Sequence, residues 1–173
     1  MLERPAPAEH DLYFAGYVAA VPAGDVLALL AAQPARLARL AAAAGGERER
    51  DRYAPGKWSV REIFGHLIDA ERVFGYRAYR IGHGDATPLA SFEQDGYVAA
   101  AGFDAIPLAE ALAEFTAMRD ANLRAIRRLL PDAAGRTGVA GGWPVSFRAL
   151  VFILVGHVEH HLRVLAERYG LRG

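Results

Sequence analysis

Six histidines are spread over the 173 residues, and three of them stand where chemistry is possible. In Gly156-His157-Val158-Glu159-His160-His161, His157 and His161 are four apart, a spacing that puts both imidazoles on one helix face and lets them converge on one ion. His160 is rotated off that axis, toward a neighbouring helix, solvent or a supporting hydrogen bond. Two imidazoles alone hold a metal weakly, so a third ligand must come from another segment. His66, mid-helix beside Gly65, is the natural third, because a polar group there needs a reason. Three neutral imidazoles on a divalent ion leave at least one position for water or substrate, as in catalytic rather than closed structural sites. Spacing alone does not choose between this and the plainer alternative, in which the pair caps, packs or meets solvent and His66 is a hydrogen-bonded core residue.

Around these residues lie groups that could support a site. Ligating imidazoles usually donate their second N–H to a carboxylate or carbonyl, and Glu62, Asp69 and Glu159 fall within one turn of a candidate ligand. The default for these acids, and for Glu71, is a solvated helix face with ion pairs to Arg61, Arg72 or Arg163. Arg77 and Arg148 are candidates for an anionic substrate group. His10 and His83 occupy irregular segments without a ligand partner at helical spacing. The chain has no cysteine, which excludes disulfides and thiolate ligands and leaves His, Asp and Glu as the strong ligands.

Helices must position these side chains. The apolar spacing of Leu27, Leu30, Leu37 and Leu40 predicts a first helix over 25–44, with Asp25 as N-cap and Pro34 kinking or splitting it. The second, over 59–81, has the clearest start: Ser59 and Glu62 form a capping box, and Trp58 can staple onto Ile63. A third spans 108–130, its core stripe Leu112, Phe115, Leu123, Ile126 and Leu130, with Arg119, Arg124 and Arg127 mostly outside and Pro131 at its end. A Gly-rich turn ending at Gly142 leads to a fourth over 146–169, stopped by Gly170. The connection 82–107 is long enough to be functional or to hold short structure, with one short helix expected over 92–101. No run alternates strictly enough for a half-buried strand, so the chain is expected to be an all-α single domain over 1–173, a four-helix bundle.

Composition narrows the function. Twenty basic and twenty acidic residues cancel, so no field of one sign attracts phosphate backbones or anionic lipid, and neither nucleic acid nor membrane is an expected partner. The N-terminal MLERPAPAEHDLYF lacks a basic start followed by an apolar run, and a cytoplasmic location is expected. Lys57 is the single lysine and alanine is abundant, a bias that commonly accompanies GC-rich bacterial coding.

One family pattern matches these residues. Pro55-Gly56-Lys57-Trp58-Ser59-Val60-Arg61-Glu62 leading to His66, followed far downstream by His157-x-x-x-His161, resembles the DinB/YfiT-like superfamily. The likeness extends from about Asp25 to Tyr169, through Pro88-Leu89, Asp95-Gly96-Tyr97 and His160-His161-Leu162, with helices two and four carrying its specificity. It implies an up-down-down-up bundle, commonly a homodimer, with a zinc or nickel ion on one histidine of helix two and two of helix four, here His66, His157 and His161. It also implies a reaction class, since characterised relatives are similar to S-transferases using bacillithiol- or mycothiol-type thiols, and others are described as metal-dependent hydrolases. A low-molecular-weight thiol cosubstrate is therefore the leading expectation. Metal-assisted hydrolysis with Glu62, Asp69 or Glu159 as base is the alternative, and a non-catalytic stress-related binding or sensor protein is the third.

Overall fold

The helix starts read from the sequence are met atom by atom in the computed structural model, which describes residues 2–172. A short helix α1 (Ala15–Ala20) precedes α2 (Val26–Ala44), where Asp25 accepts the Leu27 N–H at 3.1 Å. In α3 (Val60–Gly82), Ser59 Oγ accepts the Glu62 N–H at 3.1 Å, while the Glu62 carboxylate accepts the Ser59 N–H at 2.8 Å. These reciprocal bonds close the predicted box. The expected short helix is α4 (Gln94–Ala101).

Pro34 does not split its helix, and Pro131 does not end its own. Pro34 lies inside an unbroken α2, and it leaves the Leu30 carbonyl without its usual partner four residues on; a long 3.5 Å contact from Arg119 Nη1 reaches that oxygen. Pro131 does not end α5 (Leu108–Ala133), because it stands on the exposed side with Arg127, where water can take the freed carbonyl, and the last turn carries on to bury Ala133.

The Gly-rich turn holds a β-hairpin that the sequence reading had no strand for. Strands β1 (Thr137–Ala140) and β2 (Trp143–Ser146) pair antiparallel across Gly141-Gly142, whose positive φ values of 62° and 87° are those a two-residue hairpin loop demands. Four-residue strands holding a glycine and a proline are too short to show alternation. Ser146 then caps α6 (Phe147–Tyr169). The Leu89 N–H bonds to the Val139 carbonyl at 2.8 Å and ties the 82–107 connection to this hairpin.

Chain direction follows from the two apolar clusters. One joins the first half of α2 to the second halves of α3 and α5 and the first half of α6. The other joins the second half of α2, the first halves of α3 and α5, and the second half of α6. So α2 and α6 run one way and α3 and α5 the other, an up-down-down-up bundle, with α3 and α5 packed side by side and the long connection carrying the chain back between them. By length and hydropathy α2 and α6 both pass for membrane spans, but α6 is the buried centre of this bundle and α2 turns its buried face, Val26, Leu30, Leu37 and Leu40, into the two apolar clusters.

Between the two clusters runs a buried polar layer. Arg119, expected mostly outside, is 1% exposed, and it forms a two-pronged pair with Glu71 (Nη2–Oε2 2.7 Å, Nε–Oε1 3.0 Å). Gln33 Oε1 accepts from Arg119 Nη1 at 2.5 Å, and Gln33 Nε2 donates onward to the Val155 carbonyl and Glu159. Asn122 completes Glu71 at 2.8 Å, seated against Gly75, where a Cβ would collide with it.

Candidate metal centre

His66 projects from the second turn of α3, and His157 and His161 from successive turns of α6, all toward the bundle interior. Their exposures are 2%, 4% and 7%. One nitrogen from each ring lies within 4.8 Å of the others, and the ring centroids are 4.6–4.9 Å apart. His66 Nε2 and His157 Nε2 face each other at 2.9 Å.

Burial decides their charge state. It holds His66 down to about 4, with His160 adding a smaller push in the same direction, and it drives His157 and His161 well below the ordinary imidazole range, helped by their positive-going neighbours. All three are neutral at pH 7, the form that ligates metals. The Nδ1 atoms of His66 and His161 are buried without a hydrogen-bond partner. A buried polar atom left unmatched costs about 1–3 kcal/mol, so the cluster is poorly served by the chain alone. Three convergent neutral imidazoles with unmatched nitrogens fit a divalent ion.

The supporting groups are not those expected. Glu62 is engaged by its own helix cap and by Arg52, and Glu159 by Gln33 and Arg36, so neither reaches a ring nitrogen of the three histidines among the described residues. Their arginine partners, Arg52 and Arg36, are not among the Arg61, Arg72 and Arg163 expected to pair with these acids. Asp69 has a buried Oδ2 without a hydrogen-bond partner, and burial raises its pKa, so it too leaves the ring nitrogens of the cluster unsupported. His160 is half-buried, its ring 5.0 Å from that of His161. The indole of Trp58 supplies the closest wall, with its centroid 4.7 Å from the His66 ring, and Tyr169 Oη pins the Trp58 carbonyl at 2.5 Å.

Two cavities meet at the histidines. One, of about 410 Å³, is lined by His66 and His157 and runs along α3 past Phe74 to Arg77. The other, of about 500 Å³, is lined by His66, His160 and His161 together with Trp58 and Tyr53. Tyr17 and Gln94 border both. Of the two arginines expected near an anion, Arg77 lines the first cavity, whereas Arg148 is bound by Glu9 (Nη2–Oε1 2.5 Å) and lines neither.

Tyr17 was missed by the sequence reading. Its ring meets His157 edge-on at 5.3 Å and His160 at 5.4 Å, and burial raises its pKa, keeping the phenol protonated. It is placed by Gly156, where a Cβ would lie 1.9 Å from the Tyr17 carbonyl oxygen, so α1 can rest on α6 only at a glycine. The signal was present in the aromatic run Tyr13, Phe14 and Tyr17 at helical spacing.

This architecture, an up-down-down-up helical bundle with three inward histidines drawn from two of its helices, defines the class. The chain belongs to the DinB superfamily, whose sequence profile matches residues 28–165. A comparison with curated proteins finds no match. Among solved structures it is similar to YfiT from Bacillus subtilis, described as a probable metal-dependent hydrolase with an unusual four-helix bundle topology. The two share 17% identity with a TM-score of 0.72, over 84% of this chain and 86% of that one. At that identity the likeness speaks for the fold.

Proposed function

We propose that this protein is a metal-dependent enzyme in which His66, His157 and His161 hold one zinc or nickel ion and a low-molecular-weight thiol is transferred to an electrophilic substrate. The observation that carries the reading is the pair of cavities meeting at one cluster of buried neutral histidines, since a two-substrate transfer needs two approaches to one centre. An ion held there supplies Lewis acidity, lowering the pKa of a thiol or a water. The chain has no cysteine, so the sulfur nucleophile must come from a small molecule. In the transfer a carbon–sulfur bond forms as the bond to the leaving group breaks; the leaving group departs with the electron pair and the thiol proton passes to solvent. Trp58 and Tyr17 wall the cluster and exclude bulk water, while the half-buried His160 borders the second cavity.

Hydrolysis is the second reading, favoured by the description of the structurally similar YfiT. It needs a base near the ion; Glu62, Asp69 and Glu159 line neither of the two cavities at the histidines, so that role would fall to His160 or to a cavity-lining acid such as Glu93 or Asp95. The same proposal has the protein working in the cytoplasm and as a homodimer; the family resemblance supports the dimer, which sedimentation would read.

An activated aryl halide and an activated ester, each assayed with and without added thiol on metal-loaded protein, separate the two reactions. Thiol-dependent turnover that disappears in His157→Ala is the expected result. Turnover of the ester without thiol would replace transfer by hydrolysis.

A further inference from the structure

The cavity along α3 ends on a cation that the chain does not neutralise. Arg77 is 5% exposed, yet no carboxylate pairs with it among the described residues; its one protein hydrogen bond runs from Nη2 to the Ala90 carbonyl at 2.6 Å. The guanidinium lies 5.9 Å from the Phe74 ring centroid, and Arg77 lines the cavity with hydrogen-bonding capacity that its single bond to Ala90 leaves unused. Two acids border the same cavity. Asp11 spends its carboxylate on the Tyr13 N–H, and Glu93 is exposed and forms no ion pair with Arg77.

Helix geometry fixes the distance to the histidines. His66, Ala70, Phe74 and Arg77 follow one another along one face of α3, and all four line the cavity. Eleven residues separate the first from the last, about 16 Å along the axis. The walls between are aromatic, from Phe14, Phe74, Phe92 and Trp143. A volume of about 410 Å³ suits a molecule of some two dozen heavy atoms or fewer.

We infer that this cavity is the substrate site and that it selects an elongated organic anion, with a carboxylate, sulfonate or phosphate on Arg77, an apolar or aromatic body against Phe74, and its reacting end at the histidines. Neutral and cationic analogues bind more weakly, because they give the guanidinium no anion to pair with. The inference rests on the proposal that chemistry occurs at the histidine cluster, but its test does not need turnover.

The probe is 8-anilinonaphthalene-1-sulfonate, an aromatic anion whose emission rises in apolar sites, set against neutral N-phenyl-1-naphthylamine. Both are titrated into the full chain, metal-loaded and after chelation, for wild type and Arg77→Met. The expected result is sulfonate binding weakened tenfold or more in Arg77→Met with the neutral probe unchanged, in both metal states, while metal content stays at the wild-type level. Equal loss of both probes would make Arg77 a structural prop, and loss of neither would place the anion elsewhere; either overturns the inference. Should Arg77→Met not fold, displacement of the sulfonate from wild type by ω-phenylalkanoates and by their primary amides decides it. The acids must compete at least tenfold better, and equal competition refutes the anion site. Failure of the metal proposal would show instead as absent metal with Arg77-dependent probe binding intact.

Discussion

Two buried polar groups sit within a few turns of each other in this bundle and are treated in opposite ways. The Arg119–Glu71 pair is closed by Gln33, Asn122 and backbone carbonyls, and each of its charged atoms has a partner. The His66–His157–His161 cluster is equally buried, but it keeps two unmatched nitrogens and borders two cavities. A polar group satisfied by its own chain holds the fold in register, whereas one left incomplete is matched to something from outside.

The sharpest way to break the contrast is to remove one partner of the closed group. Arg119→Ala strands Glu71 in the core and should lower the free energy of unfolding by about 3–5 kcal/mol, measured by urea titration. Replacing Arg119 by Met and Glu71 by Leu together should recover a large part of that loss. If Arg119→Ala costs no more than a surface substitution, the layer between the two apolar clusters is not what sets the packing.

The same contrast explains what the sequence made legible. His157 and His161 declare themselves by spacing, and the Ser59–Glu62 box marks the start of the helix that carries His66, because these are local patterns on single helices. Arg119 was read as surface because an arginine on a helix flank looks solvated until its partners on three other helices are known. Those partners, Gln33, Glu71 and Leu154, lie 86, 48 and 35 residues away. The β-hairpin escapes for a related reason, since each strand is four residues long, too short for alternation to appear, and Tyr17 sits on a six-residue helix whose one local trace is the spacing of Tyr13, Phe14 and Tyr17.

A smaller effect is expected at Gly156. A methyl group there must push the Tyr17 backbone away, so Gly156→Ala should cost about 1–3 kcal/mol and loosen the wall shared by both cavities. Tyrosine fluorescence and urea unfolding would read this, and an unchanged stability would mean that α1 is not seated by that contact.

The smallest effect is a pH dependence at the edge of the bundle. Glu9 accepts from Arg148 Nε at 2.6 Å and from Ser146 Oγ at 2.7 Å, and these bonds, the arginine foremost, hold its pKa down to about 2 from an ordinary 4.5. A depressed carboxylate contributes stability above its unfolded pKa and loses it as pH falls through the folded one. The contribution should therefore be complete above about pH 4.5 and gone near pH 2. The stability difference between wild type and Glu9→Gln, followed by urea titration, should shrink across that window; a constant difference would mean that the pair is already screened by solvent.

Metal content per chain shows whether an ion completes the open histidine cluster. Protein purified without chelator and incubated with zinc or nickel should carry close to one ion by plasma mass spectrometry. That ion should be lost in His66→Ala, His157→Ala and His161→Ala and kept in His160→Ala. Wild-type protein that stays metal-free after the incubation would mean that the three histidines do not form a metal site.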